Sequence, residues 1–97
     1  MAKAYWMVCY REVRKPEALA AYAKLSGPAI EAAGGRMLAR GMPAEVREAG
    51  VLQRTVLIEF DSLEKARAAY ETPAYRAALA VLGDAVDRDI RFIGGVG

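Results

Sequence analysis

Three charged residues of this sequence, Arg36, Arg40 and Glu59, have the types and spacing of a small site for acid–base chemistry. Arginine side chains bind carboxylate or enolate oxygens, and a nearby glutamate can act as a general base or orient a water molecule. Leu38 and Leu57 alternate with them, and an apolar pocket with few polar anchors is the usual small-molecule site. The same charges could instead form an ion-pair network that only holds two sheets together.

The spacing of the two arginines separates their predicted roles. Four residues apart on a strand, they lie on one face about 13 Å from each other, which is too far to clamp one small anion. Arg36 is predicted to lie in or near an ion pair with Glu59, and Arg40, beside a bulge expected at 41–43, is the predicted ligand contact. Glu59 is the predicted catalytic residue.

Aromatic residues near the start of the chain supply a further candidate. Tyr5, Trp6 and Tyr10 could stack on a planar ligand, although aromatic residues in a strand more often belong to a core or an interface. Tyr5 joins Arg40 and Arg36 as a predicted substrate-binding residue.

The elements that must position these residues alternate in a recognisable order: strand, helix, strand, strand, helix, strand. The predicted strands cover residues 4–13, 36–41, 52–60 and 88–93. The first helix should break at 26–28, where Pro28 follows Gly27. The second should open at Asp61 with Glu64 completing a capping box, and be interrupted at 72–73. Pairing through 44–48 and a turn at 48–50 should join the second and third strands.

This order is that of the ferredoxin-like α+β fold, a split β-α-β-β-α-β unit with an antiparallel sheet. Right-handed crossovers place the first and third strands at the centre. Pro43 agrees with an edge position for the second strand. Both helices cover one face, and the other face is half apolar, which favours a homodimer formed through the helix-free sheet face.

A glycine pair, Gly34 and Gly35, could be mistaken for part of a phosphate loop. A phosphate loop needs its glycines before a helix, because the N–H groups that bind the anion project from the helix N-terminus. Here the glycines follow a helix, and they are predicted to cap it.

Several stretches, "KAYWMV", "GGRMLARG", "VLIEFDSLEKARAAYETPAY" and "RDIRFIGG", resemble the bacterial family called domain of unknown function 1330 over residues 3–95. The resemblance implies the dimeric α/β-barrel superfamily, in which two ferredoxin-like sheets pack face to face. That superfamily includes cofactor-free monooxygenases, haem-degrading enzymes, isomerases and ligand-sensing domains. The family itself carries no established activity. It usually has glutamate and glycine adjacent before the third strand, whereas here Ala49 separates Glu48 from Gly50.

Composition argues against several classes of function and binding partner. Ninety-seven residues fit one domain, 1–97, and a net charge of +2 without a basic stripe argues against nucleic acid. The single cysteine, Cys9, is expected to be buried, and the absence of histidine excludes zinc sites built on cysteine and histidine clusters. We expect no metal, no cofactor and no membrane contact, and a cytoplasmic location.

Two functions stay open. One is a cofactor-independent enzyme that acts on a small carboxylated or enolisable compound. The other is a non-catalytic module that senses a ligand or binds a protein partner. RNA binding by the sheet is disfavoured, because the third strand lacks the signature of an RNA-recognition motif.

Overall fold

The computed structural model describes residues 2–97, and its elements follow the predicted order. Strand β1 (Ala4–Val13) leads into helix α1 (Pro16–Ala32), and strands β2 (Arg36–Gly41) and β3 (Thr55–Phe60) come next. Helices α2 (Leu63–Tyr70) and α3 (Pro73–Leu82) precede strand β4 (Val86–Gly94). The predicted ferredoxin-like arrangement is confirmed.

The four strands form one antiparallel sheet in the order β2-β3-β1-β4, so β1 and β3 are central as predicted. Alternation along β1 sends Ala4, Trp6, Val8 and Tyr10 into the core. The register pairs Trp6 with Ile58 and Val8 with Val56, which places both strands' apolar sets on the same face. The three helices cover this face.

Aromatic packing fixes the helices to the sheet. Trp6 is fully buried, and its indole Nε1 donates a hydrogen bond of 2.8 Å to the carbonyl oxygen of Ala66 in α2. The ring centroids of Phe60 and Tyr75 lie 5.3 and 5.2 Å from that of Trp6. A buried indole whose N–H has a partner is the stable way to place tryptophan in a core.

Helix α1 does not break at 26–28 as predicted, since it continues through Pro28 to Ala32. Proline removes one helical hydrogen bond and crowds the residue before it, but that residue is Gly27, which has no Cβ. Ala29 and Ile30 beyond it are buried, so tertiary packing holds the last turn in place.

Two other local predictions are wrong. Residues 44–48 form no strand, and an irregular segment connects β2 to β3, with Glu48 at a φ of 53° in its turn. Ser62, and not Asp61, caps α2: its hydroxyl accepts from the backbone N–H of Lys65 at 3.1 Å. Asp61 is unavailable because it pairs with Lys3 and Arg36. The predicted interruption before Pro73 is present, with Thr72 capping α3.

The glycine pair closes α1 as predicted. Gly34 has a φ of 93°, and the N–H of Gly35 donates to the carbonyl oxygen of Ile30 at 2.9 Å. That bond spans the last turn in the manner of a Schellman motif. Gly35 is also buried, and a Cβ there would lie 2.5 Å from Ile30 Cγ2 and 2.9 Å from the ring of Phe60.

We expect Gly35→Ala to lower the free energy of unfolding by about 1–3 kcal/mol, because the buried Phe60 ring cannot retreat from the added methyl group. Urea titration measures the loss. Gly94→Ala is the matched control, since a Cβ at Gly94 meets no atom within 4 Å. Equal stability of the two variants would contradict the close approach of α1 to β3.

Candidate functional site

A β-bulge in β2 decides where the predicted site residues lie. The register against β3 pairs Arg36 with Glu59 and Met37 with Ile58, then skips Leu38 and pairs Ala39 with Leu57 and Arg40 with Val56. One extra residue reverses the alternation of a strand. Arg36 therefore lies on the helix-free face and Arg40 on the helix-covered face. The prediction that they share a face is wrong, as is the position of the bulge at 41–43.

The predicted ion pair between Arg36 and Glu59 is present, at 3.0 Å between Arg36 Nε and Glu59 Oε1. Tyr5 donates its hydroxyl to Glu59 Oε2 at 3.3 Å, and Arg36 also pairs with Asp61 at 2.9 Å. Asp61 accepts from Lys3 at 3.0 Å. Tyr5, Arg36 and Glu59 thus meet in one charge-balanced network on the helix-free face, apart from Arg40.

A cavity lies on the other side of the sheet, between α1 and the core strands. Its volume is about 30 Å³, and its walls combine aromatic and aliphatic side chains with three arginines, Arg40, Arg54 and Arg88. The apolar wall comes from Trp6, Val8, Tyr10, Tyr22, Ala23, Ile30, Met37, Val56 and Ile58, with Ser26 and Gly27 completing it. We call this space the inner cavity.

Arg88 lies in the wall of the inner cavity, held by three phenol groups. Its Nη1 donates to the hydroxyl oxygens of Tyr10 at 3.0 Å and Tyr22 at 3.2 Å, and its Nη2 donates to Tyr75 at 3.4 Å. The guanidinium also lies over the rings of Tyr10 and Tyr22, 5.4 and 4.9 Å from their centroids. Burial opposes its charge, but the three phenols outweigh burial and the pKa of Arg88 lies above its ordinary value. The side chain is a permanent cation.

Arg54 approaches the same tyrosine from the irregular segment just before β3. Its carbonyl oxygen accepts from the N–H of Tyr10 at 3.0 Å, and its guanidinium carbon lies 5.9 Å from the Tyr10 ring centroid. Its Nε is buried and has no hydrogen-bond partner within residues 2–97. A buried N–H without an acceptor costs free energy.

The charged side chains that line the inner cavity are all positive. In the part of the chain that the structure describes, no carboxylate forms a salt bridge with Arg40, Arg54 or Arg88, and no acidic residue, lysine or histidine lines the wall. Cations buried in proteins are normally paired. Arg40 is exposed, whereas Arg54 and Arg88 are half-buried, so three positive charges without a carboxylate partner in residues 2–97 line one small space.

Two tyrosine hydroxyls provide the proton chemistry of this region. The oxygens of Tyr22 and Tyr75 are 2.6 Å apart, and both residues are buried. Burial first, and the adjacent Tyr22 second, raise the pKa of Tyr75 above its ordinary value, so the hydroxyl stays protonated at neutral pH. The pair can donate a hydrogen bond to an oxyanion but cannot serve as a strong base.

An open groove of about 720 Å³ runs from the inner cavity to the surface between the last turns of α1 and the edge strand β2. Gly27, Ile30, Met37 and Arg40 line both spaces. Pro28, Glu31, Ala32 and Gly35 complete the groove. Its volume lies within the roughly 300–1,000 Å³ of small-molecule sites, whereas the inner cavity holds only a small group.

Of Glu59, Arg36, Arg40 and Tyr5, only Arg40 lines the inner cavity, together with Trp6 and Tyr10, the two other aromatic residues considered as stacking candidates. Sequence reasoning missed Arg88, although a signal existed: strand alternation places Arg88 on the same side of β4 as the apolar residues Ile90 and Phe92. Arg54 carried no such signal, because it lies in the irregular segment before β3.

Cys9 is half-buried, on the helix-free face opposite Thr55 and Asp89. Across residues 2–97 no group of three or more cysteine, aspartate or glutamate side chains could hold a metal ion. Over the same range, no helix has the length and apolar character required to cross a bilayer.

Comparison with known proteins supplies the family. The sequence profile described as "Domain of unknown function (DUF1330)" matches residues 3–96. The chain belongs to this family. A search of curated proteins finds no match.

Solved structures support the fold. A protein of unknown function from Rhodopseudomonas palustris, RPA0582, superposes with a TM-score of 0.75 at 20% identity, covering 99% of this chain and 84% of that one. A proposed antibiotic biosynthesis monooxygenase from Nitrosomonas europaea gives 0.65 at 19% identity, covering 98% and 99%. A dimeric ferredoxin-like protein of unknown function from Thermobifida fusca gives 0.56 at 18% identity, covering 95% and 90%. At these identities the likeness shows the fold alone.

The network around Asp61 generates a prediction for the pH dependence of stability. Hydrogen bonds from Lys3 and Arg36 lower the pKa of Asp61 from 3.8 to about 2. A carboxyl group whose pKa is lower in the folded than in the unfolded protein stabilises the fold. The stabilisation is complete at pH values above the pKa in the unfolded protein, and it declines as the pH falls towards the pKa in the folded protein. Asp61→Asn should therefore be less stable than the parent protein at pH 6, and the difference should shrink between about pH 4 and pH 2.

Urea titrations of the two proteins from pH 6 to pH 2 measure that difference directly. Carboxylates common to both proteins cancel in the comparison. A difference that stays constant over the whole range would show that Asp61 is not held ionised by Lys3 and Arg36.

Proposed function

We propose that this protein binds a small organic anion, a carboxylate or an enolate, in the inner cavity between α1 and the sheet. The observation that carries the proposal is the convergence of Arg40, Arg54 and Arg88 on one space whose wall contains no acidic group. The proposal keeps the ligand class and the binding role of Arg40 predicted from the sequence. It replaces Arg36 and Tyr5 as ligand contacts by Arg54 and Arg88.

Electrostatics and hydrogen bonding both support an anionic ligand. An anion 4 Å from one guanidinium gains roughly 4 kcal/mol at an effective dielectric constant of about 20, before its desolvation is subtracted. The buried Nε of Arg54 would gain an acceptor, and such unmet donors discriminate strongly between ligands that do and do not offer one.

The same arrangement limits the chemistry that the site could catalyse. Arg88 and the hydroxyl of Tyr22, which is hydrogen-bonded to Tyr75, would stabilise the oxyanion of an enolised compound. Glu59 lies on the opposite face of the sheet and cannot reach a ligand in the inner cavity, so any reaction would need a compound that ionises without a carboxylate base. Exchange of the α-protons of a bound 2-oxo acid in D₂O, followed by NMR, separates an enzyme from a ligand-sensing module.

We expect Arg88→Met to weaken binding of hexanoate and 2-oxohexanoate by about 10- to 100-fold, the loss of one hydrogen bond to a charged group. Its stability should change little, because removal of a half-buried charge offsets the lost hydrogen bonds to Tyr10, Tyr22 and Tyr75, and the bond between Tyr22 and Tyr75 remains. Calorimetry measures affinity, and Trp6, the single tryptophan, reports binding by fluorescence from the cavity wall.

Hexanamide, which has the same shape without the charge, should not bind. The matched control is Arg36→Met, which removes an arginine from the helix-free face and should leave binding unchanged. If neither acid binds the parent protein, or if both bind Arg88→Met as tightly, the inner cavity is not an anion site.

A second part of the proposal concerns self-association through the helix-free face, the partner predicted from the sequence. This face exposes Met7 and Ile93, and Leu57 lies half-buried near its centre. Exposed apolar patches of this kind mark interaction surfaces. The Thermobifida fusca neighbour is dimeric, which agrees with a homodimer here.

Leu57→Lys should convert the dimer to a monomer, because the substitution places an unpaired ammonium in the middle of the buried face. Sedimentation equilibrium at micromolar concentration measures the mass. Val81→Lys, on the exposed side of α3, is the control and should remain dimeric. A monomeric parent protein, or a dimeric Leu57→Lys protein, would refute this interface.

A further inference from the structure

We infer that the groove between α1 and β2 holds the apolar tail of the anion whose charged head occupies the inner cavity, so that the protein selects unbranched carboxylates by length. The inference rests on the proposed function and goes further, since it assigns a second subsite and a class of ligand. It starts from the sizes and the continuity of the two spaces.

The volumes exclude a ligand confined to the inner cavity. A space of about 30 Å³ equals the share of one water molecule in the liquid, roughly 30 Å³, and matches a single carboxylate group. The groove of about 720 Å³ has the size of a complete ligand site but contains only one arginine, Arg40, and one acid, Glu31. Neither space suffices alone for an organic acid that must bury both its charge and its carbon chain.

The two spaces are joined by four residues that line both. Ile30 and Met37 provide apolar walls at the junction, and Gly27 leaves it open, since a Cβ there would meet no atom within 4 Å. Arg40 lies at the same junction, on the edge strand. A chain that leaves the carboxylate at Arg54 and Arg88 therefore passes Met37 and continues along Ile30 and Pro28 towards the surface.

The charged residues of the two spaces determine which end of the ligand enters the inner cavity. Arg54 and Arg88 flank Tyr10 in the inner cavity, each guanidinium carbon within 6 Å of its ring centroid. Glu31 lies in the groove, where it repels a second carboxylate. The head therefore enters first and the tail stays outside. The positively charged arginines of the inner cavity also disfavour acids that carry an ammonium group beside the carboxylate, because like charges would then lie together.

Met37 is the residue that we assign to length selection. It lies on the edge strand, is 42% exposed, and packs between the inner cavity and the groove. Met42 is the matched control: it is the same residue type, also exposed, and lies outside both spaces. Exposed positions of this kind tolerate substitution, so both variants should fold.

The test is calorimetric titration with butyrate, hexanoate and octanoate, and with norleucine as the hexanoate analogue that carries an ammonium group. We expect affinity to rise by up to roughly fourfold per added methylene, the value for full burial, and norleucine not to bind. Met37→Thr should flatten this rise, so that octanoate loses more affinity than butyrate, and Met42→Thr should behave as the parent protein.

The outcomes of these titrations distinguish the anion site in the inner cavity from the tail subsite in the groove. Affinity that increases with length and depends on Met37 supports the tail subsite. If the three acids bind with equal affinity and still require Arg88, the tail subsite is wrong and the anion site stands. If the gain with length survives Met37→Thr, the tail lies elsewhere and the assignment of the groove is wrong. If no acid binds the parent protein, both proposals fail.

Discussion

An unpaired positive charge inside the protein, carried by Arg88 among three tyrosines, is the constraint on which the functional account depends. The register of β1 and β4 places Arg88 directly opposite Tyr10, on the face that the helices cover. The phenols of Tyr22 from α1 and Tyr75 from α3 then meet at its guanidinium. Two helices and two strands thus converge on a cation that has no carboxylate partner. Phenol oxygens and ring faces stabilise the charge, and an anionic ligand would be the carboxylate partner that residues 2–97 do not supply.

The sheet separates two sets of charges that the sequence places close together. On the helix-free face, Lys3, Asp61, Arg36 and Glu59 balance one another, Arg91 pairs with Asp89, and Met7 and Ile93 are exposed. On the helix-covered face, Arg40, Arg54 and Arg88 remain unbalanced. A homodimer built on the first face would leave the second open to solvent through the groove beside α1. Self-association and ligand binding would then use opposite sides of one sheet.

The fold could be predicted from the sequence because its signals are local and strong. The glycines at 34–35 cap a helix, Thr72 and Pro73 restart another, and Pro43 agrees with an edge strand. The site could not, because it depends on one skipped residue: the bulge at Leu38 reverses the side of the sheet on which Arg40 lies. Helix α1 continues through Pro28 because the packing of Ala29 and Ile30 outweighs the tendency of proline to end a helix. Alternation in β4 already required Arg88 to face the helices, whereas nothing in the sequence indicated that the irregular segment brings Arg54 to Tyr10.

A crystal structure with bound 6-bromohexanoate would show where both ends of the ligand bind. Bromine scatters anomalously, so it locates the end of the carbon chain independently of the carboxylate. We expect a carboxylate within hydrogen-bonding distance of Arg88 or Arg54 in the inner cavity and a bromine peak in the groove beside Met37 and Pro28. A bromine peak on the helix-free face, or an inner cavity without a carboxylate while bromine is bound elsewhere, would contradict this expectation.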